Sequence, residues 1–191
     1  MRTDDILYFS PKYKFLDLKW DDKKNLTDAF KDRVEGFYIE PTKKLNGNKN
    51  VFAVGVMCVV TIDFLARIKT CSGKVGKRFE DWLVSNIKEF NRSDPGNPSR
   101  TLACRFYDEF RNGPVHEGHI KNAGQFSYHF EEEIVKVEQG IMVINPDLLL
   151  NAIISSFDKY MHHVKNEEFT FHQLRCALIR DFEKDVEYAN R

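Results

Sequence analysis

Within Thr101 to Ile120, TLACRFYDEFRNGPVHEGHI, an arginine and a histidine stand five residues apart, Arg111 and His116, with Asn112 directly after the arginine. An always-charged, forked guanidinium suits a phosphate, and an imidazole that titrates near neutrality can take or give a proton. Together they supply what cleavage of a phosphodiester through a ribose 2′-hydroxyl needs: a proton carrier and stabilisation of charge building on phosphorus. His119 follows as a second imidazole that could assist or touch phosphate. The run His116-Glu117-Gly118-His119 lacks the i, i+4 histidine pair of a zinc-protease helix, and no third ligand accompanies it, so no metal site is expected there.

The elements that must hold these groups are helical. Leu102, Ala103, Phe106, Tyr107 and Phe110 form one apolar stripe, with Ser99 as the expected cap. Arg111 and Asn112 are expected to close this helix, because Gly113 suits a helix end and Pro114 cannot continue the hydrogen-bond ladder. On an unbroken α-helix Arg111 and His116 would point about 140° apart. The Gly-Pro break is read as removing that constraint and turning both groups toward one place.

Tyr107 to Gly118, YDEFRNGPVHEG, resembles the signature of the HEPN superfamily (higher eukaryotes and prokaryotes nucleotide-binding domain), an Arg followed after four to six residues by a His. The resemblance covers about Asn50 to Lys165. It implies a helical bundle, typically dimeric with the motif at the interface, that cleaves RNA without a metal or other cofactor. Arg111 and His116 are then the catalytic pair, Asn112 a supporting polar contact and Glu109 a weaker helper. RNA, a second copy and an antitoxin protein are the implied partners, in a toxin–antitoxin or defence role. Some members of the superfamily only bind, so a non-catalytic module for a protein, nucleotide or RNA is the alternative.

Composition bounds these readings. At 191 residues, with 42% apolar residues and 16 phenylalanines, the chain suits one domain with a substantial core. The formal net charge is zero, so RNA binding would need a local basic patch. The best one is Lys69 to Arg78, KTCSGKVGKR, where Lys74, Lys77 and Arg78 are candidate phosphate contacts. The four cysteines, Cys58, Cys71, Cys104 and Cys176, are scattered and read as a reduced cytosolic set. MRTDDILYF has no secretory pattern, and the uncharged run Val51 to Ile62 is short for a bilayer span. A cytoplasmic protein without a membrane segment is expected.

Read in order, residues 1–24 form an aromatic arm, either a short strand or an extended segment, and the one candidate base-stacking surface. Helices follow at Asn25 to Ile39, ended or bent by Pro41, and at Val51 to Thr70, where Asn50 caps and Asp63 can pair with Arg67. The β-branched content of Val51 to Thr70 also allows a strand. Lys43 to Asn50 reads as a turn, Phe79 to Phe90 as an amphipathic helix and Asn91 to Ser99 as a loop. Residues 123–145 read as a β-hairpin, with Phe126, Tyr128 and Phe130 alternating ahead of it. Asn145-Pro146-Asp147 restarts helix, and 170–188 forms the last one. The expected fold is mainly α, a single bundle with a small β-hairpin insertion.

Overall fold

A computed structural model describes residues 2–3, 6–70 and 73–189; Cys71 lies outside them. The chain is mainly helical with small sheets of two or three strands. It divides into two compact units, one built from residues up to Pro41 together with those from Phe157 onward, the other from Thr42–Ser156.

In the first unit, β1 (Arg2–Thr3) pairs antiparallel with β2 (Ile6–Leu7). Helix α1 (Lys23–Val34) begins where the Asp22 carboxylate accepts the Asn25 N–H at 2.9 Å, an N-cap that starts the helix two residues earlier than the sequence pattern suggests. Within the aromatic arm Phe9 and Phe15 are buried and offer no free stacking surface, while Tyr8, Tyr13 and Trp20 are half-buried. Phe9 meets Phe15 and Phe182 of the last helix edge-on at 5.5 and 5.4 Å. Arg33 of α1 inserts among these rings, 4.5 Å from the Phe182 centroid and 5.0 Å from Phe9, and donates to the Phe9 carbonyl. Burial lowers the pKa of this guanidinium from its ordinary value.

Pro41 does not stop the helix. A π-helical turn, Glu35–Ile39, precedes it, and α2 (Glu40–Gly47) runs through it. Proline lacks an N–H and its ring collides with the carbonyl four residues back in an α-ladder, whereas a wider i→i+5 turn lets the helix pass. The segment read as a turn from Lys43 is therefore helical to Gly47, with the chain reversing at 48–50.

In the second unit, α3 (Val51–Lys69) is the central helix. By length and composition it could cross a bilayer, and half of it is buried within the fold, as in the core helix of a bundle. Cys58 lies on its buried side, where desolvation pushes the thiol pKa up. Helix α4 (Val75–Asn86) buries Phe79, Trp82 and Leu83. Residues 91–99, read as a loop, contribute instead to an antiparallel hairpin of β3 (Ser93–Asp94) and β4 (Asn97–Thr101). Helix α5 (Leu102–Phe106) follows, and then the motif. The hairpin expected at 123–145 is present as β6 (Val135–Glu138) against β7 (Ile141–Ile144), but the aromatic run before it gives only β5 (Gln125–Phe126), which adds to β7 in parallel. Asn145 caps α6 (Pro146–Asn166), its side-chain Oδ1 accepting from the Asp147 and Leu148 N–H groups. The final helix is α7 (Glu168–Ala189).

A line of aromatic contacts ties the second unit together. Phe90, Phe106, Phe110 and Phe126 follow one another at centroid separations of 5.0, 5.1 and 5.1 Å. Phe106 and Phe110 are fully buried, so truncation removes a large apolar side chain and leaves a cavity. Phe106→Ala should lower unfolding stability by about 3–5 kcal/mol in denaturant titration. Phe169→Ala, at a side chain 74% exposed, should change it by no more than about 0.5 kcal/mol.

Candidate functional site

Thr101 starts the motif helix. Its hydroxyl accepts the Cys104 N–H at 3.2 Å, so the cap lies two residues after Ser99, whose own hydroxyl donates to Asn97 at 2.6 Å within β4. Past Phe106 the helix does not end at Asn112. It changes winding and continues as a π-helix over Tyr107–Glu117, through Gly113 and Pro114, to a left-handed Gly118 at φ 75°. The same accommodation seen before Pro41 recurs here: the wide turn spares the proline ring a clash with the carbonyl behind it.

This winding changes the expected geometry. An i→i+5 ladder carries five residues through little more than one turn, so Arg111 and His116 lie much closer in direction along an unbroken helix than α-winding allows. Gly113 has a different task from the predicted break. A Cβ there would stand 2.5 Å from the His119 carbonyl oxygen and 3.1 Å from the Lys121 nitrogen, so its absence lets the following segment fold back against the helix.

The guanidinium of Arg111 is braced rather than loose. Nη2 donates to Asp63 of α3 at 3.0 Å, Nη1 to Asn112 at 3.3 Å, and the group lies 5.7 Å from the Tyr107 ring centroid. Its Nε is buried and has no hydrogen-bond partner among the described residues. Asn112 thus touches Arg111 directly. His116 is exposed, and among the described residues no hydrogen bond or ion pair engages its ring. His119 is exposed too, with Nδ1 3.1 Å from the Glu117 carbonyl. Sequence pattern paired Asp63 with Arg67 on its own helix and did not anticipate its reach to Arg111.

The basic segment adjoins the motif through one ring. A Cβ on Gly76 would stand 2.8 Å from Tyr107, so the first turn of α4 packs closely on the aromatic that also faces Arg111. Lys74 is exposed at the N-cap of α4, Lys77 is exposed and paired with Asp81, and Arg78 is half-buried. Among the described residues no group of three or more His, Cys, Asp or Glu side chains is arranged to hold a metal.

Glu109 faces away from this chemistry, into a buried ionic cluster. Arg105 donates to Glu109 at 2.8 Å, to Asp94 at 3.1 Å and to the Gly140 carbonyl at 2.7 Å. Arg100 donates to the other Asp94 oxygen at 2.8 Å, and Asn122 to Glu109 at 3.0 Å. The Asp94, Arg105 and Glu109 side chains are 0%, 5% and 1% exposed. Nothing in the sequence around Asp94 marked it as buried. Desolvation raises the Asp94 pKa, but the Gly96 N–H and the two guanidinium groups outweigh it and hold the carboxyl below its usual 3.8.

A depressed folded-state pKa stabilises the fold above the unfolded value and ceases to do so as pH falls through the folded one. Unfolding stability should therefore decline as pH drops below about 3.8, and Asp94→Asn should flatten that part of the profile. The same variant leaves Arg105 short of a buried partner and should cost about 3–5 kcal/mol at neutral pH in denaturant titration.

No family model, no curated protein and no solved structure matches this chain.

Proposed function

We propose that the protein is an endoribonuclease of HEPN type that cuts RNA without a metal, with Arg111 and His116 as its catalytic pair. The observation that carries this reading is the π-winding of Tyr107–Glu117, which sets a braced guanidinium and an unengaged, exposed imidazole along one stretch of helix. Wide turns of this kind in helices occur frequently at functional sites.

In the proposed reaction the ribose 2′-oxygen attacks phosphorus as its proton leaves, and the bond from phosphorus to the 5′-oxygen breaks as that oxygen gains a proton. His116 carries one of these protons. Arg111 offsets the charge that builds on the phosphate oxygens. Asn112 holds the guanidinium in place. Lys74, Lys77, Arg78 and His119 are proposed RNA contacts, and a second copy supplies the other proton carrier when two motifs face each other across a homodimer.

A second reading is favoured by one observation: the Arg111 fork is already occupied by Asp63 and Asn112, as in a structural ion pair. Under that reading the fold is a non-catalytic module that binds a protein partner, such as an antitoxin, or a nucleotide or RNA.

Incubation of the folded protein with mixed cellular RNA separates the two. The catalytic reading expects cutting by the wild type, a loss of at least about 100-fold in His116→Ala, as removal of a general acid–base group gives, and a comparable loss in Arg111→Ala. Full activity in either variant contradicts the assignment of that residue; a folded wild type that forms stable complexes but never cuts supports the binding module.

A further inference from the structure

A second feature depends on the same winding and concerns a residue with no assigned role. Lys121 lies beyond the helix, on the segment that folds back along it past Gly113. Its ammonium reaches Asp108 at 3.3 Å, near the start of the π-helix, and Glu117 at 2.8 Å, at its end. Residues nine apart on an α-helix differ by about two and a half turns and point to opposite sides. One ammonium can bridge Asp108 and Glu117 only if the helix is wound more widely than that, as it is here.

Other contacts hold Lys121 where it can do this. Asn122 and Ala123 both adopt left-handed backbone conformations, φ 52° and 56°, which residues with a side chain seldom take. The turn persists because Asn122 is anchored to the buried Glu109 at 3.0 Å, and because the His119 carbonyl comes to rest where the Gly113 side chain would be. Backbone strain maintained by surrounding contacts in this way is found at sites where geometry matters to function.

We propose that Lys121 is a positioning residue: by clasping Asp108 and Glu117 together it holds the motif helix in the π-register that brings Arg111 and His116 into a common direction. Pro114 bars an α-helical ladder only where its ring meets the Phe110 carbonyl; past it, without the clasp, the turn that carries His116 reverts to α-winding and His116 rotates away from Arg111. The effect on catalysis rests on the ribonuclease reading above; the effect on register does not.

Two measurements on Lys121→Met and Lys121→Arg test this. Couplings across hydrogen bonds, read by NMR, identify which carbonyl each amide donates to. In the wild type and Lys121→Arg the His116 amide should couple to the Arg111 carbonyl, five residues back; in Lys121→Met it should couple to the Asn112 carbonyl, four back. Persistence of the five-residue coupling in Lys121→Met overturns the proposal. In RNA cleavage Lys121→Met should lower kcat at least tenfold with KM unchanged, and Lys121→Arg should restore it. A rise in KM alone would make Lys121 a phosphate contact instead and also overturn it. Should Lys121→Met fail to fold, Asp108→Leu combined with Glu117→Met removes both acceptors of the clasp at similar side-chain size, with the same expected shift in coupling. A wild type that cuts no RNA defeats the catalytic reading alone, and the couplings still decide the register.

Discussion

A proline inside a helix is the constraint on which the site depends. Pro114 supplies no N–H and cannot sit against an α-helical carbonyl four residues behind it. The chain answers by winding wider over Tyr107–Glu117, as it does over Glu35–Ile39 ahead of Pro41. Each end of that wide segment is fastened. Upstream, Arg105 and Glu109 anchor it to Asp94 in a buried cluster; downstream, Gly118 ends it and the segment from His119 onward lies back on Gly113. Arg111 and His116 sit between these fastenings, so their relative direction follows from how the helix is wound more than from either side chain's own contacts.

Charge is used locally in this molecule. With 29 basic and 29 acidic residues the chain offers no overall attraction to a polyanion. Several cations are committed to internal structure: Arg33 among phenylalanines, Arg105 between two carboxylates and Arg111 against Asp63. Such buried or half-buried pairs do little for net stability, but they fix geometry, since removing either partner leaves the other desolvated. At Arg111 this bracing serves the proposed function, because a guanidinium already held in position loses less freedom when it meets a phosphate.

What the sequence made legible is what local physics decides. The apolar stripe Leu102, Phe106, Phe110 is buried as its spacing implies, Asn145 caps α6, and the hairpin at Val135–Ile144 forms about its turn. The misreadings share a cause: a local signal with two structural solutions, or a partner far along the chain. Gly113-Pro114 punctuates a helix in either of two ways, by ending it or by widening it, and only packing against His119 and Lys121 selects the second. The partnership of Asp63 with Arg111 spans 48 residues. Asp94, in a stretch rich in Gly, Pro and Ser, carries every mark of an exposed loop, yet three donors draw it into the interior. The winding that relates Arg111 to His116 within YDEFRNGPVHEG is a tertiary property that no local pattern specifies.

The most direct measurement of the central claim is the chemistry of the RNA ends. Purified wild-type protein is incubated with RNA in excess chelator and the termini of the fragments are mapped. Attack by the 2′-oxygen at a site that uses only Arg111 and His116 predicts 2′,3′-cyclic phosphate and 5′-hydroxyl ends, produced undiminished when divalent ions are removed. Fragments bearing 5′-phosphate and 3′-hydroxyl ends, or cutting that stops with chelation, would contradict it.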